Sequence, residues 1–311
     1  MIQKAASSVA VAVSIWEDTF RLLGIGYGAG RAFNQERSRK LHQDLGTLDG
    51  PVVVFGGPYS NLQATRALLE VVRQRGVPFS HVICTGDVVA YCAHPEATAQ
   101  AVCDIGIAVV AGNCERQLGA SADTCGCGFE QGTTCDLLSP GWYAYANERV
   151  SLASRSWMRS LPDVVSFRHQ GARYAVIHGG MTDIARFIWP DASQGVFAQE
   201  LEAVRARVGA VDHVIAGHCG LPFIRQTGQG RWINAGVIGM PPNDGRQQTR
   251  FAVLDGGEVL FHHLRYDAEA AARDMQLAGL THGYDKALLS GYWPSEDMLP
   301  SSLRSSSFAK G

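Results

Sequence analysis

From Pro51 onward, short β-branched apolar runs alternate with longer stretches whose apolar residues recur every three or four positions. The runs are Val52–Phe55, His81–Cys84, Ile107–Val110, Tyr174–Ile177 and His213–Ala216. Between several of them, Leu62–Arg75, Glu96–Cys103 and Phe197–Val208 carry the period of a helix buried along one side. Such strand–helix alternation predicts a layered α/β fold. Phe251–Leu254 and Val259–Leu264 flank a Gly256-Gly257 turn and predict a β-hairpin.

The flanks read differently. Residues 1–50 begin with a helical pattern, pass through Gly24–Gly30 and end in a charged segment. Ala5–Ile15 resembles a signal-peptide core, but Trp16, Glu17 and Asp18 stand where small cleavage-site residues belong. It is therefore read as a helix start, and the protein is expected in the cytoplasm. Gly24–Gly30 has the small-residue spacing of a nucleotide loop, yet no Lys-Ser/Thr follows, so a connector is expected. After Asp267 one or two helices and a Ser-rich end are predicted. The expected organisation is a helical extension over 1–50, a main domain over 51–265 and a helical tail over 266–311. No apolar run approaches the ~20 residues that span a bilayer.

Composition narrows the function classes. The 311 residues are 46% hydrophobic and 18% charged, a globular balance rather than a disordered one. A formal charge of -2 gives no basic bias, so nucleic acid is not an expected partner.

Four of the runs close on a metal-ligating residue type beside glycine: Gly86-Asp87, Gly112-Asn113, His178-Gly179 and Gly217-His218. Ligands of α/β sheets gather beyond the carboxyl ends of strands, and glycine there leaves room for an ion or substrate. Each pair alone is weak; four in succession point to one site.

The order and wording of these segments resemble the calcineurin-like metallophosphoesterases, above all their small prokaryotic phosphodiesterases. Gly86-Asp87-Val88-Val89-Ala90-Tyr91 with Pro95-Glu96 is similar to the second family motif, and Gly112-Asn113-Cys114-Glu115 to Gly-Asn-His-Asp/Glu. Val176-Ile177-His178-Gly179 and Gly217-His218-Cys219-Gly220 resemble the fourth motif and Gly-His-x-His, and Trp232–Gly239 the segment that follows. The resemblance spans roughly 51–265. It implies an α/β fold of two packed mixed β-sheets flanked by helices, with the site on one rim.

The pattern is broken in one place. Family members open with Asp-x-His-Gly-Asn, where this chain has Gly57-Pro58-Tyr59-Ser60-Asn61, and Gly220 replaces the last His of Gly-His-x-His. The resemblance thus implies one metal site of Asp87, Asn113, His178 and His218, and loss of the other. A mixed N/O set of this kind suits Zn²⁺, Fe²⁺ or Mn²⁺. One ion can still polarise a phosphoryl oxygen and lower the pKa of a water. Cys114 stands where the family has the His that assists the leaving group, and Tyr59 either substitutes as a donor or fills space. Ser60 and Asn61 at a helix start, and Arg186, are candidates to face a phosphate.

The cysteines carry three readings. Those in Gly-rich turns are small residues; or Cys125 and Cys127 form a redox-active pair; or Cys114, Cys219, Cys125 and Cys127 hold a second ion on thiolates. The stretch 114–145 is expected to be a Cys-rich loop near the rim. The expected function is a metal-dependent hydrolase of a small phosphate ester or diester with a single-metal site. A non-catalytic phosphate- or nucleotide-binding descendant and a thiol or redox protein are the alternatives.

Overall fold

The computed structural model describes residues 41–305. The helix expected at Ala5–Ile15 and the Gly24–Gly30 connector lie outside them. The elements in order are β1 (His42–Thr47), β2 (Val52–Phe55), α1 (Leu62–Gln74), β3 (Val82–Cys84), α2 (Pro95–Ile105), β4 (Ala108–Val109), α3 (Asn113–Gly119), α4 (Thr134–Arg149) and α5 (Leu152–Ser160). They continue with β5 (Val164–His169), β6 (Ala172–Val176), α6 (Gln194–Val208), β7 (His213–Ala216), β8 (Phe223–Thr227), β9 (Gly230–Asn234), β10 (Thr249–Asp255), β11 (Glu258–Leu264), α7 (Ala268–Leu277) and α8 (Tyr284–Ser290).

Two mixed sheets result. One has the order β1-β5-β6-β7-β9-β8 and the other β11-β10-β2-β3-β4. Along β2 the side chains alternate: Val52 and Val54 enter the core between the sheets, while Val53 and Phe55 enter the core under the helices. All four are buried, which is why the strand reads as an unbroken apolar run. β7 behaves alike on the other sheet, with Ile215 facing the shared core and Val214 and Ala216 facing the α6 side with Phe197. Burying one such aliphatic or aromatic side chain stabilises the fold by about 1.5–3 kcal/mol.

The hairpin is confirmed: β10 and β11 pair antiparallel around Gly256-Gly257. Residues 42–47, expected within the N-terminal extension, instead form β1, paired parallel to β5 at the sheet edge. The stretch 114–145 is less of a loop than expected, because α3 and α4 occupy most of it. Among the described residues no helix is long and apolar enough to cross a membrane.

What positions the site is a shared direction. β2, β3 and β4 run parallel in one sheet, and β6, β7 and β9 run parallel in the other. Their carboxyl ends meet on one rim. A bridge between Gly56, just past β2, and Val237, just past β9, ties the two sheets there.

Candidate metal centre

Asp87, Asn113, His178 and His218 leave four different strand ends and converge, all buried. His178 Nε2 lies 3.1 Å from Asn113 Oδ1 and 3.0 Å from His218 Nδ1. It is also 3.3 Å from Asp87 Oδ2, and His218 Nδ1 is 3.8 Å from that same oxygen. One ligand atom each from Asp87, His178 and His218 falls within 4.8 Å of the others.

The hydrogen-bond roles are decided by the outer partners. His178 Nδ1 faces the Thr85 carbonyl at 2.6 Å; a carbonyl only accepts, so Nδ1 carries the hydrogen and Nε2 turns inward. Asn113 Nδ2 donates to the Cys125 carbonyl at 3.0 Å, which turns Oδ1 inward. With His178 neutral, its Nε2, Asn113 Oδ1 and Asp87 Oδ2 therefore present lone pairs to one another, and His218 Nδ1 lies 3.0 Å from the same Nε2. Such an arrangement is repulsive without a cation among them. Donors of a tetrahedral zinc-like ion with bonds of about 2.1 Å stand roughly 3.4 Å apart. The observed spacings bracket that value, so the residues fit a divalent metal, and the group could hold one.

Electrostatics agree. Burial opposes the Asp87 charge, but the charge and hydrogen bond of His178, together with His218, hold its pKa below the usual carboxylate range. Burial pulls His178 down, yet Asp87 outweighs it and raises the pKa. Burial lowers His218. Asp87 and His218 both adopt left-handed backbone conformations, φ 55° and 62°. Strain of this kind persists only where surrounding contacts fix it.

Glu115 supplies those contacts for Asp87. Its fully buried carboxylate accepts from the backbone N–H groups of Asp87 at 2.8 Å, Val88 at 2.8 Å, Val89 at 3.4 Å and Gly112 at 2.9 Å. It thereby welds the loop after β3 to the loop after β4. Burial and the Asp87 charge push its pKa up to about 7. A side chain at Gly112 would collide with Asp87 Oδ1, which explains the glycine before Asn113. Sequence reasoning quoted Glu115 within its motif but gave it no role; a buried acid beside four loop amides has no spacing signature.

The positions of the altered motif are filled by rings. A Cβ built on Gly57 would lie 2.5 Å from Cζ of Tyr59, so that ring takes the place of a side chain at 57. A Cβ on Gly220 would lie 3.3 Å from Cζ2 of Trp293, from the segment after α8. Tyr59 is buried; burial, then Asp87, Cys114 and Cys219, raise its pKa well above the ordinary value. Cys114 is raised likewise by burial, Asp87 and Glu115, so its thiol stays protonated.

Several expected residues do not reach the centre. Asn61 is the N-cap of α1, accepting from Ala64 N and donating to Gly239 O, and the Ser60 hydroxyl accepts from Ala90 N. Both are buried in structural bonds, so neither is placed to hold substrate. Arg186 is bound to the buried Glu200 carboxylate at 2.7 Å rather than facing the site. Cys125 and Cys127 are joined in a disulfide, so neither offers a thiolate for an ion in this state. Cys219 Sγ accepts from Asn234 Nδ2 at 3.2 Å and stands outside the donor group.

The sequence profile of the calcineurin-like phosphoesterase superfamily domain matches residues 52–259. Among curated proteins nothing matches the chain. Among solved structures, a hypothetical protein from Pyrococcus horikoshii is similar at TM-score 0.63 and 19% identity, over 80% of this chain and 99% of that one. A metallophosphoesterase from Sphaerobacter thermophilus is similar at TM-score 0.59 and 18% identity, over 78% of this chain and 100% of that one. At these identities the likeness establishes the shared fold.

Proposed function

Because the chain belongs to the calcineurin-like phosphoesterase superfamily, we propose that it hydrolyses phosphate esters or diesters with one divalent transition metal, Zn²⁺, Fe²⁺ or Mn²⁺. Asp87, Asn113, His178 and His218 would hold the ion. The observation that carries this reading is the convergence of four buried side chains of metal-ligating type around His178 Nε2. A metal held there supplies a Lewis acid for a phosphoryl oxygen and a lowered pKa for water.

The chain's own residues do the remainder. Thr85 and Cys125 carbonyls aim His178 and Asn113, as outer partners of metal ligands commonly do. Glu115 fixes the Asp87 loop. Tyr59 and Cys114, both held protonated, can donate a hydrogen bond or a proton to the departing oxygen, and neither can serve as a base. Tyr59 lines a cleft together with His218, so its place beside substrate is the better supported of the two. The protein would act in the cytoplasm on a small phosphorylated substrate; six of its cysteines are free thiols.

A second reading has its own support. The rings of Tyr59 and Trp293 occupy the places of missing first-site side chains, which suits a descendant that binds a phosphorylated ligand without turnover. Thiol catalysis is disfavoured, since burial and the neighbouring Asp87 and Glu115 charges oppose a Cys114 thiolate.

Metal content per chain, with turnover of a generic phosphodiester, decides between them in the wild type and Asp87→Ala. About one ion and measurable turnover, both lost in the variant, is the expected result. An ion retained by the wild type without turnover of any ester would favour the binding reading. Undiminished turnover in Asp87→Ala would overturn the proposal.

A further inference from the structure

Beside His218 lies a cleft rich in aromatic rings, which share its walls with Val237, Met240, Met298 and two cysteines. Tyr59, Tyr91, Phe129, Phe187, Trp189 and Trp293 line it together with His218. Phe187 packs against the His218 ring at 4.3 Å, and Trp189 stacks on Phe187 at 5.3 Å with the planes 10° apart. Tyr91 touches Tyr59 edge-on at 4.9 Å. Trp293 is pinned, its indole N–H donating to the Pro241 carbonyl at 2.7 Å and its backbone N–H to Asn243 Oδ1 at 2.8 Å.

Resting on the phosphoester reading above, we infer that this cleft receives a planar aromatic substituent of the substrate, and that the substrate is a phosphodiester monoanion rather than a monoester dianion.

Three observations carry the inference. The first is position: a group seated here is next to a member of the donor group, so it belongs to the molecule whose phosphorus reacts there. The second is shape. The cavity measures about 60 Å³. At about 10–15 Å³ per water on the same scale, it has room for roughly four to six waters, the displacement of one aromatic ring. Rings fixed by hydrogen bonds and mutual stacking offer their faces with little ordering cost, and ring–ring contact adds about 0.5–1.5 kcal/mol beyond area burial. The third is charge. The lining contains no Lys and no Arg. An anion bound at this cleft therefore finds no cationic side chain in the lining, with Asp87 close to Tyr59. A second negative charge on the phosphate would be desolvated without a partner, which is costly. With no side chain at Gly220, the edge of the Trp293 ring stands 3.3 Å from where a Cβ would be. The same replacements that remove metal donors thus supply an organic binding surface.

The test uses hydrolysis-resistant probes on the metal-containing protein, read by calorimetry. Methyl(phenyl)phosphinate is a monoanion with a ring, dimethylphosphinate a monoanion without one, and phenylphosphonate a ring-bearing dianion. The ring-bearing monoanion should bind at least tenfold tighter than either of the others. Trp293→Ala should erase most of the ring preference, and Trp189→Leu should reduce it, with folding checked by circular dichroism. Equal affinity of the two phosphinates in the wild type, or no binding of any probe, overturns the aromatic assignment. Phenylphosphonate binding as tightly as the phosphinate overturns the charge assignment. These readouts do not require turnover. A wild type that prefers the ring yet hydrolyses no aryl diester sinks the hydrolase reading and leaves the cleft's assignment standing. Turnover of aryl and alkyl diesters with equal KM does the reverse.

Discussion

The side-chain amide of Asn113 donates to the backbone carbonyl of Cys125 across 3.0 Å, so a member of the donor group is aimed by a turn that a disulfide closes. Outer partners of this kind commonly contribute a factor of ten or more to metal affinity. The double variant Cys125→Ser/Cys127→Ser frees the turn while keeping the carbonyl. Its metal affinity should fall by roughly tenfold in a chelator competition. Unchanged affinity would mean that the turn holds Asn113 without the bridge.

Glu115 joins two loops through four backbone donors. Glu115→Ala strands buried N–H groups and should destabilise the protein by about 3 kcal/mol or more. Urea unfolding measures this, and metal retention should drop with it. Glu115→Gln keeps one acceptor oxygen and should fall between the variant and the wild type.

Glu96 reports on pH. It sits on α2, accepting from Ser151 N at 2.9 Å and Ser154 Oγ at 3.0 Å at the start of α5. Burial is the largest single influence and raises its pKa, but the hydrogen bonds from Ser151, Ser154 and Gln100 together outweigh it and leave it lowered. A lowered carboxyl stabilises the fold above its unfolded pKa near 4.5, and the effect is lost as pH falls through the folded value. Glu96→Gln should therefore lower the urea midpoint at pH 7. The gap to wild type should close as the pH falls below the unfolded value and through the lowered folded one. A gap independent of pH would place the effect in packing rather than charge.

The parts legible in the sequence were those with a local signature. β2, β3 and β7 are buried on both faces and read as apolar runs, and each donor stands beside a glycine at a strand end. β1, His-Gln-Asp-Leu-Gly-Thr, has no such signature: it is a half-exposed edge strand held by pairing with β5, so its pattern is polar. Trp293 was invisible as a site residue, because its place over Gly220 depends on the path of the chain after α8, not on neighbours in sequence. Arg186 misled because a buried acid, Glu200, on the facing helix claims it. Glu200 also accepts from the Met181 and Thr182 amides, and so shapes the loop that delivers Phe187.

Thiol labelling offers a further check. Cys103 is exposed, whereas Cys84, Cys92, Cys114, Cys135 and Cys219 are buried. Burial pushes Cys219 up to about 12 and raises the others named here as well. A maleimide at neutral pH should modify Cys103 first and alone in the folded protein, with the rest reacting only on unfolding. Rapid labelling of Cys114 or Cys219 would contradict this packing.

The ring of Tyr59 and the bare backbone of Gly57 exclude one another's alternatives. An aspartate restored at 57 alone would strike the ring, and a histidine restored at 59 alone would face a position with no carboxylate to share an ion. Either substitution by itself disturbs the packing without completing a carboxylate–imidazole pair. The pair behaves as a single packing unit, open to change only when both positions change together.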